Sequence, residues 1–301
     1  EETVFRIASI SKMVTALCVL KLVQQGLIDL EEDIGIFPYR VNLRQLMTHT
    51  AAIKDGHDYT RALTQGGKLA EILRGDSFHT HPPGEKWAYS NLGAGLIASY
   101  LEMKLNLSFE TIMHQTVFEP LNIKASFYPQ LIHGELSDAR RVLPPTKEPG
   151  FDASMRKARP LGDANIPAPQ HHYLLSQGNC CLSGEGLQVL VSALMKPGFL
   201  NRDMLEMMRH LHADFGDVSS DLKQGLGLFI LEDKSISPAL LYGHQGNAYG
   251  AVHAAFFEPM TQTGMVFLSS GVSEARGDFL ADVVTDLLKF CFGEERCLKS
   301  L

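Results

Sequence analysis

Three short groups of residues in this sequence have types and spacings that could support nucleophilic chemistry. Ser9 and Lys12 lie three apart in Ser9-Ile10-Ser11-Lys12, and Met13, Val14, Leu17 and Leu20 continue an apolar helical pattern behind them. On a helix that spacing puts both side chains on one face, one turn apart. A serine hydroxyl is a weak nucleophile and needs a neighbouring base. A lysine held in an apolar helix tends to lose its charge and can be that base. The plain alternative is a serine N-cap beside a surface lysine. The second group is Tyr89-Ser90-Asn91, which follows the Pro82-Pro83-Gly84 turn. A phenol can shuttle a proton, and a carboxamide can hold a substrate carbonyl and a lysine together. A turn tyrosine with an asparagine cap is the plain alternative. The third group is His244-Gln245-Gly246, followed by Asn247, at the end of a predicted strand. A glycine there would let a substrate backbone approach the strand edge, whereas a hairpin glycine beside an ordinary histidine would do no chemistry.

These residues need elements to position them. Apolar spacing predicts helices over 9–25, 42–48, 91–103, 109–117 and 184–195. Gly26 is placed to stop the first of them. Residues 128–180 carry recurrent prolines together with Arg140, Arg141, Arg156 and Arg159, and read as a long irregular excursion. From Gly225 the pattern changes to strands over 227–231, 240–244, 251–257 and 264–269, joined by hairpins, and a closing helix over 278–292. The result is an α+β arrangement. Its mainly helical part spans 1–215, and strands with a terminal helix span 216–301, the two making one catalytic unit.

Composition narrows the function classes. At 45% hydrophobic and 20% charged residues over 301 positions, the chain is neither disordered nor fibrous. A net charge of −7 argues against a nucleic-acid partner. The apolar run from Met13 to Val23 is broken by Thr15 and Lys21, too short for a membrane span. The five cysteines, Cys18, Cys180, Cys181, Cys291 and Cys297, make a poor disulfide framework. They lean towards a reducing, cytoplasmic setting, with an exported mature form left open. Glu1-Glu2 does not open a signal peptide. His79-x-His81 and His210-x-His212-x-Asp214 lack a complete ligand set, so no metal is expected. His171 and His172 are expected in solvent, with a place in the pocket as the alternative. Trp87 reads equally as pocket wall or core.

The order of the three groups, Ser-x-x-Lys, Tyr-x-Asn and His-x-Gly, resembles the serine β-lactamase and penicillin-binding-protein superfamily. The closer likeness is to the class C β-lactamase group, with its D,D-peptidases and β-lactamase-like esterases. Phe5-Arg6-Ile7-Ala8, the segment Val23–Leu30, Leu46-Met47-Thr48-His49-Thr50-Ala51, the stretch from Pro82 to Gly95, and Pro120-Leu121 are similar as well. Relatives use the Thr48-His49-Thr50 stretch for packing, so the resemblance implies a structural His49. The resemblance implies a β-lactamase/transpeptidase-like fold: an antiparallel sheet flanked by helices, plus a mainly helical subdomain. It implies Ser9 as the acylated nucleophile, Lys12 as a group that helps deprotonate it, and Tyr89 as general base in acylation. Asn91 would position the substrate carbonyl or amide. His244 stands where many relatives have lysine and would tune Tyr89 and Ser9 electrostatically. The backbone N–H groups of Ser9 and Asn247 would form the oxyanion hole, and Gln245, Gly246 and Asn247 would line the substrate. No metal or organic cofactor is implied, and the partner is a small-molecule or peptide-like substrate.

Two departures bear on substrate. Gln245 and Asn247 replace the threonine or serine with which lactamases and D,D-peptidases of this group often bind a carboxylate. The expected function is therefore an esterase or peptidase that hydrolyses a small ester or amide through an acyl group on Ser9. A true β-lactamase or D-alanyl-D-alanine carboxypeptidase is the alternative, and a non-catalytic penicillin-binding sensor is the alternative of another class. A metal-dependent hydrolase comes third. Arginines of the 140–159 excursion could clamp a carboxylate. Only eight residues precede Ser9, where relatives have several dozen, including outer strands of the main sheet. The expectation is that those strands are missing or the sheet is smaller, and an open edge would invite a partner. Oligomeric state is left open.

Overall fold

The helix that opens the molecule, α1 (Ile10–Gln24), is buried nearly all round, Lys12 included. A helix apolar on every face belongs in a core rather than at a surface. It stops where expected: Gly26 takes φ +71°, its N–H bonds Val23 O at 2.9 Å, and the Leu27 N–H bonds Leu22 O at 3.0 Å. That pairing caps the last carbonyls with a residue in the left-handed region, which glycine adopts without strain. The computed structural model describes residues 2–35, 39–138, 160–163 and 168–293.

Helices α2 (Leu43–Met47), α3 (His57–Gln65), α4 (Leu69–Ile72), α5 (Asn91–Leu105) and α6 (Phe109–Met113) gather around α1. The expected helix over 109–117 is α6 continued by one wider π turn over His114–Phe118. Helices α7 (Gly184–Met195), α8 (Arg202–Arg209) and α9 (Asp282–Phe292) follow. The last was expected from 278 but begins at Asp282.

Two sheets complete the fold. Short strands β1 (Phe5–Arg6), β2 (Ala125–Ser126) and β3 (Cys181–Leu182) pair in the order β1-β3-β2, with Phe5 opposite Leu182. They are two residues long, too short for periodicity to reveal. The main sheet is an antiparallel meander of β4 (Ala213–Asp214), β5 (Leu222–Gln224), β6 (Phe229–Leu231), β7 (Leu241–Ala248), β8 (Ala251–Glu258) and β9 (Thr263–Phe267). Successive residues alternate between two cores. Phe229, Leu231, Ala254 and Phe256 pack with Val284 and Leu288 of α9, whereas Ile230, Ala255 and Phe257 join the core of α1 and α7. Both faces are buried, so the strands read as continuous apolar runs.

The strand expected over 240–244 runs on to Ala248, because Gly246, Asn247 and Ala248 pair with His253, Val252 and Ala251. Its hairpin turns through Tyr249 at φ +54° and Gly250 at φ +83°, the double left-handed geometry of a type I′ turn. Tyrosine in the first turn position hid that signal. His244 therefore sits within a strand, not at its end. Of the expected excursion, residues 139–159 and their arginines lie outside the described residues. The part nearest the core is ordered around a 3₁₀ turn at Pro169–Leu174.

Just after that turn, the chain crosses α5 at close range. A Cβ on Gly95 would lie 1.8 Å from the Tyr173 carbonyl oxygen. Ser176 Oγ donates to Ala94 O at 2.8 Å and accepts the Ala98 N–H at 3.3 Å. The crossing holds Gln177 in place beside α1. Gly95→Ala is expected to destabilise the fold by about 2 kcal/mol or more through overpacking. Chemical unfolding measures this, and an unchanged midpoint would contradict the crossing.

Candidate active site

The turn into α1 aims Ser9. Ile7 N–H bonds Cys180 O at 2.9 Å, Ser11 Oγ accepts the Cys180 N–H at 3.0 Å, and Ala8 is held at φ +48°. Ser9 caps the helix without using its side chain for the cap, so its hydroxyl is available to other groups. Tyr89 Oη donates to Ser9 Oγ at 2.9 Å.

Lys12 lies one turn further on, 5% exposed. Its Nζ reaches Gln177 O at 2.6 Å, Asn91 Oδ1 at 2.8 Å and Ser9 Oγ at 3.0 Å. Burial pushes this amine down to about 7, against the opposing pull of the Asp55 charge. Burial also drives the Tyr89 phenol well above its ordinary value, only partly offset by its bond to Ser9. Two of the three Lys12 partners, a peptide carbonyl and an amide oxygen, can only accept. When Lys12 is neutral they occupy its two N–H groups, and its lone pair is left facing Ser9 Oγ.

The Tyr-x-Asn group is held from several sides. Ser90 Oγ caps the Gly93 N–H of α5 at 2.9 Å. His49 Nδ1 accepts the Ser90 N–H at 3.2 Å, and the His49 ring lies 4.4 Å from that of Tyr89. Burial, then the nearby Lys12, hold His49 well below its ordinary value, so it stays neutral and free to accept. This is the structural part expected of His49. Gln177 is fixed through its side chain, whose Oε1 accepts from Tyr59 Oη.

The His-x-Gly group plays a different part from the one its residue types suggest. His244 is buried, its ring stacked 4.0 Å from Phe229. Burial and the nearby Lys12 lower it to about 3, so it carries no charge where many relatives have a lysine. Gln245 lines the cavity, yet its amide ties down the segment before α9: Nε2 donates to Phe279 O at 2.8 Å, and Oε1 accepts the Ala281 N–H at 3.0 Å. Gly246 was expected to admit a substrate backbone. It admits the chain's own, since a Cβ there would lie 2.3 Å from Ile7 O. Asn247 lines the cavity beside Ser9, and its buried amide atoms have no hydrogen-bond partner among the described residues.

These groups open on one cavity of about 560 Å³, walled by Tyr59, Leu63, Phe229, Tyr249 and Phe279 and carrying Arg6 and Arg276. Arg6 stacks over the Tyr249 ring at 4.6 Å. Trp87 lies behind the wall: it stacks on Phe215 at 3.8 Å and donates from Nε1 to Gln224 Oε1 at 3.1 Å. It packs, partly buried, against the core formed by the main sheet and α9. His172 is not solvated as expected, because its Nδ1 meets Glu102 Oε1 at 2.6 Å and its Nε2 meets Tyr128 Oη at 3.1 Å. His171 accepts the Gly67 N–H at 3.2 Å. His79 stacks on His81 at 5.1 Å, and neither pair of alternating histidines gathers a third metal-binding side chain among the described residues.

Three participants went unnoticed in the sequence. Asp55 belongs to no recognisable motif, yet its carboxylate accepts from Asn91 N and Nδ2, Leu92 N and Ser90 Oγ. Gln177 contributes a backbone carbonyl, which no residue type signals. Tyr59 acts through Gln177.

The sequence model of the Beta-lactamase family matches residues 1–289. Penicillin-binding protein 4* of Bacillus subtilis (strain 168) is 28% identical over 130 residues, which are 39% of this chain and 29% of that protein. The match thus spans less than a third of that relative's length. Among solved structures, D-amino acid amidase from Ochrobactrum anthropi SV3 superposes with a TM-score of 0.72 at 18% identity, covering 100% of this chain and 86% of that one. EstCE1, a hydrolase with promiscuous acyltransferase activity, superposes with a TM-score of 0.71 at 19% identity, covering 97% and 85%. At these identities the likeness is one of fold: mixed helix and antiparallel sheet of the β-lactamase/transpeptidase kind.

The contact at Gly246 can be tested directly. Gly246→Ala must push β7 away from Ile7–Ala8, and with it the wall facing Ser9. Misplacement on the ångström scale costs roughly 100-fold in rate. Labelling of Ser9 by a fluorophosphonate is expected to slow by that order, with the protein still folded by circular dichroism. Wild-type labelling would show that the contact does not constrain the site.

Proposed function

The chain belongs to the beta-lactamase family, and on that premise we propose that it is a serine hydrolase that forms an acyl-enzyme on Ser9 and hydrolyses a small ester or amide. The observation that carries this reading is the convergence of a lowered lysine and a phenol on one serine hydroxyl, at the edge of a cavity large enough for a small substrate.

The chemistry follows from the donor and acceptor inventory. As Ser9 Oγ attacks the carbonyl carbon, its proton passes to the Lys12 lone pair, and the carbonyl oxygen becomes an oxyanion. The Ser9 and Asn247 backbone N–H groups are the proposed donors to that oxyanion. Collapse breaks the bond to the leaving group, which takes a proton relayed from Lys12 through the Tyr89 hydroxyl. Water then attacks the acyl carbon by the reverse route, releasing the acid and restoring Ser9. The family resemblance assigns the base to Tyr89. The raised phenol and the lowered amine favour Lys12 as the base and Tyr89 as the relay, because a base must be unprotonated near the operating pH.

Arg6 and Arg276 favour a second reading of the substrate. Two guanidinium groups on a cavity wall suit a carboxylate, as a β-lactam or a D-alanyl-D-alanine peptide would present. The bonds made by Gln245 speak against its side chain taking part.

Intact-mass measurement after a fluorophosphonate and, separately, a penicillin tests both readings. Labelling of Ser9 by the first alone is expected for an esterase or amidase. Labelling by both favours the carboxylate-binding reading, and labelling by neither overturns the hydrolase. Ser9→Ala is expected to lower turnover of an activated ester by roughly 10⁴-fold or more, and unchanged turnover would sink the assignment. Because Lys12 must be neutral, kcat/KM for that ester is expected to rise with pH through about 7. A profile flat from pH 5 to 8 would count against Lys12 as base.

A further inference from the structure

Among the described residues, the Asp55 carboxylate has four donors and no cation in direct contact. Oδ2 accepts from Asn91 N at 3.1 Å and Asn91 Nδ2 at 2.9 Å, and Oδ1 accepts from Leu92 N at 2.9 Å and Ser90 Oγ at 3.0 Å. Two of these donors are the orphan amides of the first turn of α5, where negative charge is favoured. One would expect a remote cap to stabilise a helix and nothing more. The Asn91 side chain gives it a further consequence.

A carboxamide can present its oxygen or its NH2 to a given neighbour, and the two orientations have nearly the same shape. Facing Asp55, the choice is forced, because a carboxylate cannot donate. The NH2 turns to Asp55, and the oxygen turns to Lys12 Nζ, 2.8 Å away. In the flipped orientation the oxygen would meet a carboxylate, and the NH2 would donate to the lone pair of neutral Lys12. That lone pair would then be unavailable to Ser9.

We propose that Asp55 is a positioning residue: by holding the Asn91 carboxamide with its oxygen towards Lys12, it aims the lysine lone pair at Ser9. The proposal rests on the reading of Ser9 as nucleophile and Lys12 as its base. The groups that face Lys12 electrostatically are Asp55 from the loop after α2, Tyr89 before α5, His49 after α2, and His244 of β7. The two histidines are neutral, and Asp55 is the negative charge among them. Loss of that charge lowers the amine further, and so does an Asn91 NH2 donating to it. Both effects move the acid limb in the same direction.

The test is the second-order rate of Ser9 labelling by a fluorophosphonate from pH 5 to 9, read by intact mass, in the wild type, Asp55→Asn, Asp55→Glu and Ser108→Ala. Ser108 caps α6 by accepting the Thr111 N–H at 3.2 Å and is not among the donors to Asp55, so Ser108→Ala is the control for a purely structural loss. Asp55→Asn is expected to label roughly 10- to 100-fold more slowly at its plateau, the loss of a charge-assisted hydrogen bond, with its acid limb below the wild-type one. Asp55→Glu is expected to restore the limb and part of the rate. Ser108→Ala is expected to lower the Tm without moving the limb. An Asp55→Asn limb unchanged from wild type, whatever its rate, overturns the proposal. Absence of wild-type labelling at Ser9 overturns the underlying reading instead, and the proposal with it. Neutron diffraction of the deuterated wild type needs no variant to fold. Deuterons on the Asn91 atom facing Asp55 are expected, and deuterons on the atom facing Lys12 contradict the proposal.

Discussion

One amine with two fixed acceptors organises this molecule. Gln177 O and Asn91 Oδ1 can only accept, so they determine where the remaining valence of Lys12 points. An amine in water would find a proton and swivel. This one is buried in a helix apolar on every side, and burial makes its charged form costly. Much of the surrounding architecture serves those two acceptors. Gly95 lets the 173–177 segment pass close over α5 and bring Gln177 to Lys12, and Asp55 orders the far side through Asn91. The hydroxyl that all this favours belongs to Ser9, set at a turn with Ala8 in the left-handed region.

The charge pattern departs from what the motif suggests. A lysine in the third motif would place a second cation beside the serine. His244 is neutral and stacked on Phe229, so the third strand contributes shape here. Gly246 brings it against Ile7–Ala8, Gln245 ties the wall segment carrying Phe279, and Asn247 brings an idle amide to the cavity. Positive charge at the cavity comes from Arg6 and Arg276.

What was legible in the sequence was what local periodicity and side-chain type encode. The run from Ile10 to Leu22 announced a buried helix, and Ser9, Lys12, Tyr89 and Asn91, some eighty residues apart in pairs, were recognisable by type and do meet in space. Strands β6 to β9 were visible as apolar runs. The misses share a physical cause: their roles are set by tertiary contacts. β1, β2 and β3 are too short to show a period. Tyr249 stands where a turn signal would carry asparagine. Gln177 acts through its peptide carbonyl. Asp55 is an unremarkable loop aspartate until α5 is placed beside it, and His172 reads as a loop histidine until Glu102 and Tyr128 enclose it.

The proposed chemistry requires Lys12 to lose its proton near neutral pH while its lone pair faces Ser9. An NMR titration of the wild type with ¹³C- and ¹⁵N-labelled lysine, with the Lys12 resonance assigned by its absence in Lys12→Arg, measures this most directly. The Lys12 resonance is expected to titrate near pH 7, in line with the amine lowered to about 7. A Lys12 resonance that stays protonated up to pH 9, as an amine with the free-lysine value of roughly 10.4 would, would contradict this.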